Sequence, residues 1–366
     1  MWDVVISGAG PSGAVSAYVM ASAGRRVLLL DPHPFPTCKV GEALPGAALR
    51  LLRTLALPLP DKNGPHVAIR GSLTSWNSDD LLPYDFLRDP DGNGWRLDRP
   101  YFDSQLRQHA LQSGASLLPA QIKTITRCDK VWRLSLSNGE IISTRWLVDA
   151  TGRVALVTRK LGIKRVVESH LTAVYAFGHT SKLLQLDRTL IEAVPQGWWY
   201  AAALPSAALV AGLHMHPRDA ATLVKDHSQW LQALTQTRHV ARNFLDVTFD
   251  SRLHILDASG SRLQEFAGDQ WVACGDAAVS FDPLSGQGLY SAIHGGMTAG
   301  QSVNRALDGT ARSVLAYTQR VEQVWQIYSQ RLRETYRSET RWPTHRFWAT
   351  AARTPVASCS PSWGLE

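Results

Sequence analysis

The sequence has few cysteines and no long apolar run. The four cysteines are Cys38, Cys128, Cys274 and Cys359. They are far apart and show no paired spacing, so neither a disulfide framework nor a zinc or iron–sulfur site is expected. The longest apolar stretch, residues 198–213, is interrupted by Pro205 and is shorter than a membrane span. No secretory signal pattern opens the chain. We expect reduced thiols, no metal, no membrane association and a cytoplasmic location.

Charged residues are also sparse, at 19%, whereas hydrophobic residues make up 45% of the chain. This balance is typical of a globular protein and excludes disorder. The length of 366 residues suggests about two domains. The net charge is +7, but the basic residues form no run and no nucleic-acid motif is present. Nucleic-acid binding is therefore not expected, whereas an anionic cofactor and an acidic partner remain open.

A glycine motif lies between two short apolar strands near the N-terminus. Residues 4–6 predict a strand, Gly8, Gly10 and Gly13 follow it, and an alanine-rich helix leads to a second strand that ends at Asp31. Gly8 permits a tight turn, Gly10 lets the backbone approach a pyrophosphate, and Gly13 allows close packing of helix and strand. Asp31 is placed to accept hydrogen bonds from ribose hydroxyls. The motif predicts a dinucleotide site.

Two later turns are expected to meet the same ligand. Residues 149–152 follow an apolar strand, and Gly275 and Asp276 follow another. A glycine-rich turn at 282–288 then precedes a long predicted helix to about residue 307. That helix would direct its N-terminal amides at the ligand. Each later turn is common by itself, so the prediction depends on their order and combination.

The remaining pattern predicts a second sheet and a helical C-terminus. Residues 171–249 alternate as strands do, apart from one predicted helix at 220–235, and residues 314–341 are predicted to be helical. We expect an antiparallel sheet inserted into an α/β domain.

Several motifs together resemble the flavoprotein monooxygenase and flavin-dependent halogenase superfamily, which has a glutathione-reductase-like fold. The resemblance covers almost the whole chain, through residues 8–13, 39–42, 97–103, 149–152 and 275–288. Within the superfamily the chain looks most like the maturation flavoproteins of tryptophylquinone-containing amine oxidases of the lysine ε-oxidase and glycine oxidase type. The segments that match this branch are 41–45, 72–79, 94–99, 197–200 and 281–290.

The resemblance implies an α/β fold: a glutathione-reductase-like, FAD-binding Rossmann domain with an inserted antiparallel β-sheet substrate domain and C-terminal helices. It implies FAD reduced by NAD(P)H directly or through a separate flavin reductase, with molecular oxygen as co-substrate. The implied cofactor-binding residues are Gly8, Gly10, Pro11, Ser12, Gly13, Asp31, Lys39, Glu42, Arg99, Ile122, Asp149, Gly152, Gly275, Asp276, Pro283, Gly286, Gln287, Gly288 and Leu289. The predicted domains are 1–65, 96–165 and 255–310 for FAD, 66–95 and 166–254 for substrate, and 311–366 as a helical extension.

Two departures from the halogenase pattern favour oxygenation over halogenation. Tryptophan halogenases carry a catalytic lysine before a segment like residues 67–70, and this chain has His66 there. Their signature of tryptophans followed by a proline is present only in part, as Trp198 and Trp199 with a delayed Pro205. We expect an FAD-dependent monooxygenase that hydroxylates a tryptophan of an amine oxidase precursor. The alternatives are oxygenation or halogenation of a free aromatic molecule, and a flavin-binding maturation chaperone without catalytic activity.

His66, Glu42 and Trp199 are the predicted catalytic residues. His66 could move a proton, and its alternative is a loop histidine bound to backbone. Glu42 could orient flavin or substrate, or be a solvated carboxylate. Trp199, with its neighbours Trp198 and Tyr200, could line a substrate cavity or belong to the core.

Two further groups have weaker signals. His214 and His216 share a strand face but have no third ligand nearby, so no metal site is predicted. A docking surface for a protein, or simply a solvated helix face, is predicted from C-terminal residues. These are Arg331, Arg333, Arg337, Arg341, Trp342, Arg346 and Trp348.

Overall fold

The computed structural model describes residues 1–37, 39–61, 63–86, 90–180, 187–205, 208–244, 246–310 and 312–351. The strands, numbered along the chain, are β1 (Trp2–Ser7), β2 (Val27–Leu30), β3 (Ala43–Leu44), β4 (Val67–Ile69), β5 (Gly71–Ser75), β6 (Leu82–Asp85), β7 (Gly94–Arg96), β8 (Ser116–Leu118), β9 (Ile122–Cys128), β10 (Val131–Leu136), β11 (Ile141–Asp149), β12 (Arg165–Val167), β13 (Thr172–His179), β14 (Arg188–Val194), β15 (Gly197–Ala203), β16 (Ala208–Met215), β17 (Thr248–Phe249), β18 (His254–Asp257), β19 (Ser261–Leu263), β20 (Ala267–Gly268), β21 (Trp271–Ala273) and β22 (Val279–Ser280). The helices are α1 (Pro11–Ser22), α2 (Gly46–Thr54), α3 (Arg99–Gln112), α4 (Leu156–Lys160), α5 (Pro217–Leu223), α6 (His227–Thr235), α7 (Val240–Asn243), α8 (Gly288–Leu307), α9 (Arg312–Ser338) and α10 (Arg346–Ala351).

The N-terminal strand lies in the middle of a sheet of eight described strands. β1 pairs in parallel with β2 on one side and with β11 on the other. β8 and β21 extend this parallel region, and β9, β10 and β20 add antiparallel strands. The residues of β2 are all buried, as expected for a parallel strand covered on both faces. The parallel strands therefore bring Ser7, Leu30 and Asp149 to one edge of the sheet.

Glycines let α8 pack closely against the start of α1. A Cβ atom on Gly296 would lie 2.2 Å from the Ser12 carbonyl oxygen, and one on Gly275 would lie 2.7 Å from Ser12 Oγ. Both positions are therefore too crowded for a side chain unless Ser12 moves. Residues from the two ends of the sequence meet at Ser12, beside the glycine motif.

A second sheet of eight described strands contains most of the inserted segment. β13, β16, β15 and β14 are antiparallel neighbours, and β5 pairs in parallel with β14. Residues from the first hundred therefore join a sheet formed mainly by residues 172–257. β3, β7 and β4 form a small separate sheet, as do β12, β19 and β22. The predicted domain boundaries remain a prediction.

The helix predicted at residues 220–235 is two helices, α5 and α6. Asp226 lies between them in an extended conformation, and its carboxylate accepts hydrogen bonds from the backbone N–H groups of Ser228 and Gln229. This N-cap begins α6 and explains the break. The long helices α8 and α9 lie close to their predicted positions.

The C-terminal helices pack on the second sheet through aromatic side chains. Trp198 Nε1 donates a hydrogen bond to the Tyr336 hydroxyl at 3.0 Å, and Trp348 Nε1 donates to the Val194 carbonyl at 3.0 Å. Trp198, Tyr336, Phe347 and Trp348 are all buried. Within the described ranges, every helix is too short or too polar to cross a bilayer.

Candidate active site

A cavity of about 520 Å³ opens at the start of α1. We call it the glycine-loop cavity, and its lining includes Gly8, Gly10, Asp31, Gly152 and Asp276. Gly8 has φ of +96°, and a Cβ atom there would lie 2.3 Å from the Ala150 carbonyl oxygen. A Cβ atom on Gly10 would meet no atom within 4 Å. No side chain caps the first amides of α1, so these N–H groups can bind an anion.

Arg107 holds the glycine loop and Asp31 together. The Asp31 carboxylate accepts hydrogen bonds from the Ala9 N–H at 2.9 Å and from Arg107 Nη2 at 3.1 Å. Arg107 Nε also donates to the Ala9 carbonyl at 2.7 Å. These contacts fix the carboxylate predicted to meet the ribose. Arg107 is not among the residues predicted from the sequence.

A buried carboxylate positions two cations of the same cavity. Asp103 is 1% exposed, its Oδ2 lies 2.6 Å from Lys39 Nζ, and it accepts two hydrogen bonds from Arg99 at 3.1 Å. Arg99 also donates to the Gly41 carbonyl at 2.6 Å. Arg99, Asp103 and Arg107 are four residues apart on α3, and this spacing on a helix was a signal that they share a face.

Most predicted cofactor-binding residues line a cavity. Those lining the glycine-loop cavity are Gly8, Gly10, Pro11, Ser12, Asp31, Lys39, Arg99, Gly152, Asp276, Gly288 and Leu289. Glu42, Pro283 and Gly286 line a second cavity beside it. Gly13 packs against the loop, since a Cβ atom there would lie 1.8 Å from the Gly8 carbonyl oxygen.

Four predicted cofactor-binding residues lie elsewhere. The Asp149 carboxylate accepts hydrogen bonds from the backbone and hydroxyl groups of Thr151 and Thr158, so its role in this structure is to hold the turn. Ile122 is buried, and the adjacent cavity lining comes from Ala120 and Gln121. Gly275 and Gln287 line a groove between α8 and α9.

The second cavity, of about 240 Å³, lies between the glycine-loop cavity and the second sheet. We call it the sheet cavity, and its lining includes Glu42, Tyr175, Tyr200, His214 and Asp282. The residues shared by the two cavities are Val40, Gly41, Asp276, Gly288 and Leu289. A ligand of the first cavity could therefore meet a ligand of the second. Burial raises the pKa of the Asp276 carboxyl, against the opposing effect of Arg153 and Arg165.

Glu42 belongs to a buried hydrogen-bonded group in the wall of the sheet cavity. Tyr200 donates its hydroxyl hydrogen to Glu42, and Arg96 Nη1 lies 3.2 Å from Glu42 Oε1. Arg96 is fully buried and also donates to the Tyr200 hydroxyl at 2.8 Å and to Thr189 Oγ1 at 2.9 Å. Burial raises the pKa of the Tyr200 hydroxyl, so it remains a donor. Glu42 is therefore not a solvated loop carboxylate.

The structure does not bring His66 or Trp199 to either cavity. His66 is buried, its Nδ1 accepts the Asp98 N–H at 3.1 Å, and its ring packs against Tyr101 and Phe102. Trp199 packs edge to face with Trp230 in the core on the far side of the second sheet. Each residue therefore makes hydrogen-bond or packing contacts within the fold, outside both cavities.

His214 lines the sheet cavity as a neutral side chain. Its ring stacks on Trp198 with centroids 3.7 Å apart, and burial lowers its pKa to about 3. Among the described residues there is no group of three metal ligands. The sequence pattern points to His214 only as a possible metal ligand, because its pairing with Trp198 on the neighbouring strand is not a local signal.

The predicted arginine docking surface is partly used within the molecule. Arg341 pairs with Glu339 at 2.6 Å, and Arg346 pairs with Asp219 at 3.1 Å. Trp348 is 2% exposed and belongs to the core. Arg331 remains exposed on α9.

The fold and the glycine-loop cavity are those of a dinucleotide-binding protein, and its relatives are flavin-dependent oxidoreductases. Residues 90–358 match the tryptophan halogenase family. The protein LodB of Marinomonas mediterranea, described as an FAD-dependent oxidoreductase, is 30% identical over 359 residues, which cover 95% of this chain and 96% of LodB. The chain belongs to the tryptophan halogenase family, and this confirms the predicted FAD cofactor. The predicted reductant and oxygen co-substrate stay predictions.

Solved structures share the fold. The flavin-dependent halogenase CmlS has a TM-score of 0.87 and 21% identity, and the match covers 97% of this chain and 68% of CmlS. QhpG, a peptidyl tryptophan dihydroxylase essential for tryptophylquinone cofactor biogenesis, has a TM-score of 0.73 and 21% identity, with 96% of this chain and 78% of QhpG covered. These matches confirm the predicted fold class.

Proposed function

We propose that this chain is an FAD-dependent monooxygenase that hydroxylates a tryptophan side chain of an amine oxidase precursor during formation of cysteine tryptophylquinone. The observation that favours oxygenation over halogenation is the set of residues that line the sheet cavity. None of its described lining residues is a lysine. The histidine at position 66, where halogenases resembling this chain have their lysine, is bound to the Asp98 backbone. The shared fold of QhpG, a peptidyl tryptophan dihydroxylase, supports the same choice.

The glycine-loop cavity has the donor set that FAD requires. The α1 amides and Gly10 would hold the pyrophosphate, Asp31 would accept the ribose hydroxyls, and Lys39 and Arg99 would add positive charge. When bound, FAD takes up two electrons and makes them available to molecular oxygen. The electrons would come from NAD(P)H directly or through a separate flavin reductase.

The sheet cavity has aromatic walls suited to an indole. Tyr175, Tyr200 and Phe281 line it, and aromatic side chains pack favourably against a flat ring. The ion pair of Glu42 and Arg96 fixes the Tyr200 hydroxyl in one orientation. Monooxygenation replaces a ring C–H by C–OH, reduces the second oxygen atom to water, and consumes two electrons and two protons.

Peptide-level mass spectrometry of a candidate precursor tests the proposal. The precursor is incubated with the flavin-loaded chain, reductant and ¹⁸O₂, with and without bromide. We expect one tryptophan to gain ¹⁸O only when the chain is present. A brominated product would instead establish halogenation. An unchanged precursor, with a reducible flavin and turnover of a free aromatic compound, would reject the protein substrate, and binding without any turnover would indicate a chaperone.

A further inference from the structure

A buried carboxylate separates the sheet cavity from a third cavity. Asp282 lies just before the turn Pro283–Ser285 and is 1% exposed. On one side it lines the sheet cavity. On the other it lines a cavity of about 390 Å³ beneath α9, together with Tyr328 and Tyr336. Asp282 is therefore a wall residue of the space that we assign to the substrate ring.

Three contacts fix Asp282 without neutralising it. Its carboxylate accepts hydrogen bonds from the Leu284 N–H at 2.9 Å and from the Tyr336 hydroxyl at 2.8 Å. Its backbone N–H donates to the Tyr328 hydroxyl at 2.6 Å. An ionised carboxylate can accept about four hydrogen bonds, so the two from Leu284 and Tyr336 leave part of its acceptor capacity unused.

Charged and titratable groups share both cavities with Asp282. In the sheet cavity these are Glu42, Arg153, Tyr175, Tyr200, His214 and Asp276. In the third cavity they are Glu168, His170, His216, Tyr328, Arg333 and Tyr336. Arg153 is the cation that lowers the pKa of Asp282. Arg153 directs its own hydrogen bonds to the carbonyls of Ser259 and Phe281. Burial raises the pKa of Asp282 to about 6, against the opposing effects of Leu284, Tyr336 and Arg153. Asp282 therefore changes its charge close to neutral pH.

We propose that Asp282 is the catalytic base of the sheet cavity and accepts the proton that the tryptophan ring loses on hydroxylation. This inference rests on the proposed function. Addition of oxygen leaves the ring positively charged, with the displaced hydrogen still on the same carbon. The C–H bond then breaks, its electron pair restores the aromatic ring, and the proton passes to the Asp282 carboxylate. The carboxylic acid later releases this proton to water.

Asp282→Asn tests the base because the substituted side chain has nearly the same size and cannot accept the proton as a carboxylate does. We expect precursor hydroxylation to fall about a hundredfold or more, while flavin content and reductant oxidation persist. The acid limb of the pH profile of wild-type hydroxylation should have its midpoint near the Asp282 pKa of about 6 and be absent in the variant.

Two tyrosines of α9 provide a matched pair of variants. Tyr336→Phe removes a donor that stabilises the ionised carboxylate, so the acid limb should move to higher pH by about one unit. Tyr328→Phe removes a contact to the backbone only, so the limb should stay in place. The carboxyl of Asp282 can also be titrated directly by infrared spectroscopy of the substrate-free holoenzyme, with the spectrum of Asp282→Asn subtracted. The pH midpoint of this titration should match the midpoint of the acid limb in wild type and in each tyrosine variant.

The outcomes separate this inference from the proposed function. Hydroxylation by Asp282→Asn within a few-fold of wild type, or an acid limb that persists in it, would overturn the base while leaving the oxygenase intact. A second outcome is that wild type hydroxylates no tryptophan, while the pH midpoint of the infrared titration still shifts in Tyr336→Phe and not in Tyr328→Phe. The proposed tryptophan substrate would then be wrong, and so would the role of Asp282 as base for that ring. An infrared pH midpoint that is the same in Tyr336→Phe as in wild type would also overturn the inference.

Discussion

The backbone conformation at position 10 does not require a glycine. Its φ is −71°, which any residue adopts, and a Cβ atom there would meet open space. We therefore expect Gly10→Val to fold normally and to lose FAD, because the side chain occupies the path of the pyrophosphate. Flavin absorbance per protein after gel filtration measures this loss. Gly64→Val, a substitution without a close contact, should retain FAD. Stoichiometric FAD in Gly10→Val would disprove the site.

Glu42 is expected to matter for stability as well as for chemistry. Glu42→Ala would leave the fully buried Arg96 guanidinium without its carboxylate. Removing one partner of a buried ion pair costs about 3–5 kcal/mol, so the unfolding free energy should fall by that amount. Chemical denaturation of the flavin-free protein measures it. Glu322→Ala, which removes a partly exposed partner of Arg262, should cost much less. Equal losses would show that the Glu42 group contributes no special stability.

Individual site residues differ in whether the sequence could predict their place in the fold. The glycines and Asp31 were predicted because each has a distinct backbone or charge requirement in a local motif. Residues 198–200 alternate between the two faces of β15, but both faces are largely buried, so the sequence did not indicate which face meets a cavity. His66 accepts its hydrogen bond from Asp98, and a contact over 32 residues leaves no local pattern.

Among the elements, α9 has a surface suited to an acidic partner. Arg320, Val324, Ile327 and Arg331 are exposed and lie on one helix face. They border two adjoining grooves whose described lining residues include no carboxylate, and the grooves reach the turn before α8. The protein-substrate proposal predicts that Arg320→Glu or Arg331→Glu lowers kcat/KM for the precursor roughly fivefold at low salt. Turnover of a free indole should not change.

Arg312→Glu is the matched control for these variants, because Arg312 is exposed on α9 but lines neither groove. Steady-state kinetics at two salt concentrations separates electrostatic docking from misfolding, since added salt should reduce the difference from wild type. Equal effects of the three substitutions would reject this face of α9 as the docking site.

Elements differ in how far their sequence determines them. α1, α8 and α9 were predicted closely because long periodic segments and glycine or proline boundaries are local signals. The parallel pairing of β14 with β5 was not predicted, since it joins segments more than a hundred residues apart. The break between α5 and α6 was missed although Asp226 is a good N-cap residue, because the apolar spacing continues through it.

At the scale of the whole molecule, His214 should make the fold sensitive to acid. Its pKa is about 3 when folded and about 6.5 when unfolded, so the unfolded chain binds the proton first as pH falls. Its contribution is complete above pH 6.5 and is lost progressively below it. The unfolding free energies of wild type and His214→Phe are compared at pH 6.5 and pH 5. We expect the fall on acidification to be roughly 2 kcal/mol smaller for His214→Phe, which keeps the stacking on Trp198, than for wild type. Urea unfolding at both pH values measures the difference, and parallel losses would contradict it.

The crowding at Ser12 restricts how related proteins can exchange segments. Ser12 belongs to the first turn of α1, whereas Gly275 and Gly296 come from the last third of the sequence, and neither glycine leaves room for a side chain beside it. A chimera that joins the N-terminal segment of one homologue to the C-terminal segment of another would preserve this junction only if both parents match here. Breakpoints that keep residues 1–30 and 271–307 from one parent therefore preserve this junction, whereas the second sheet, formed mainly by residues 172–257, comes from chain outside it.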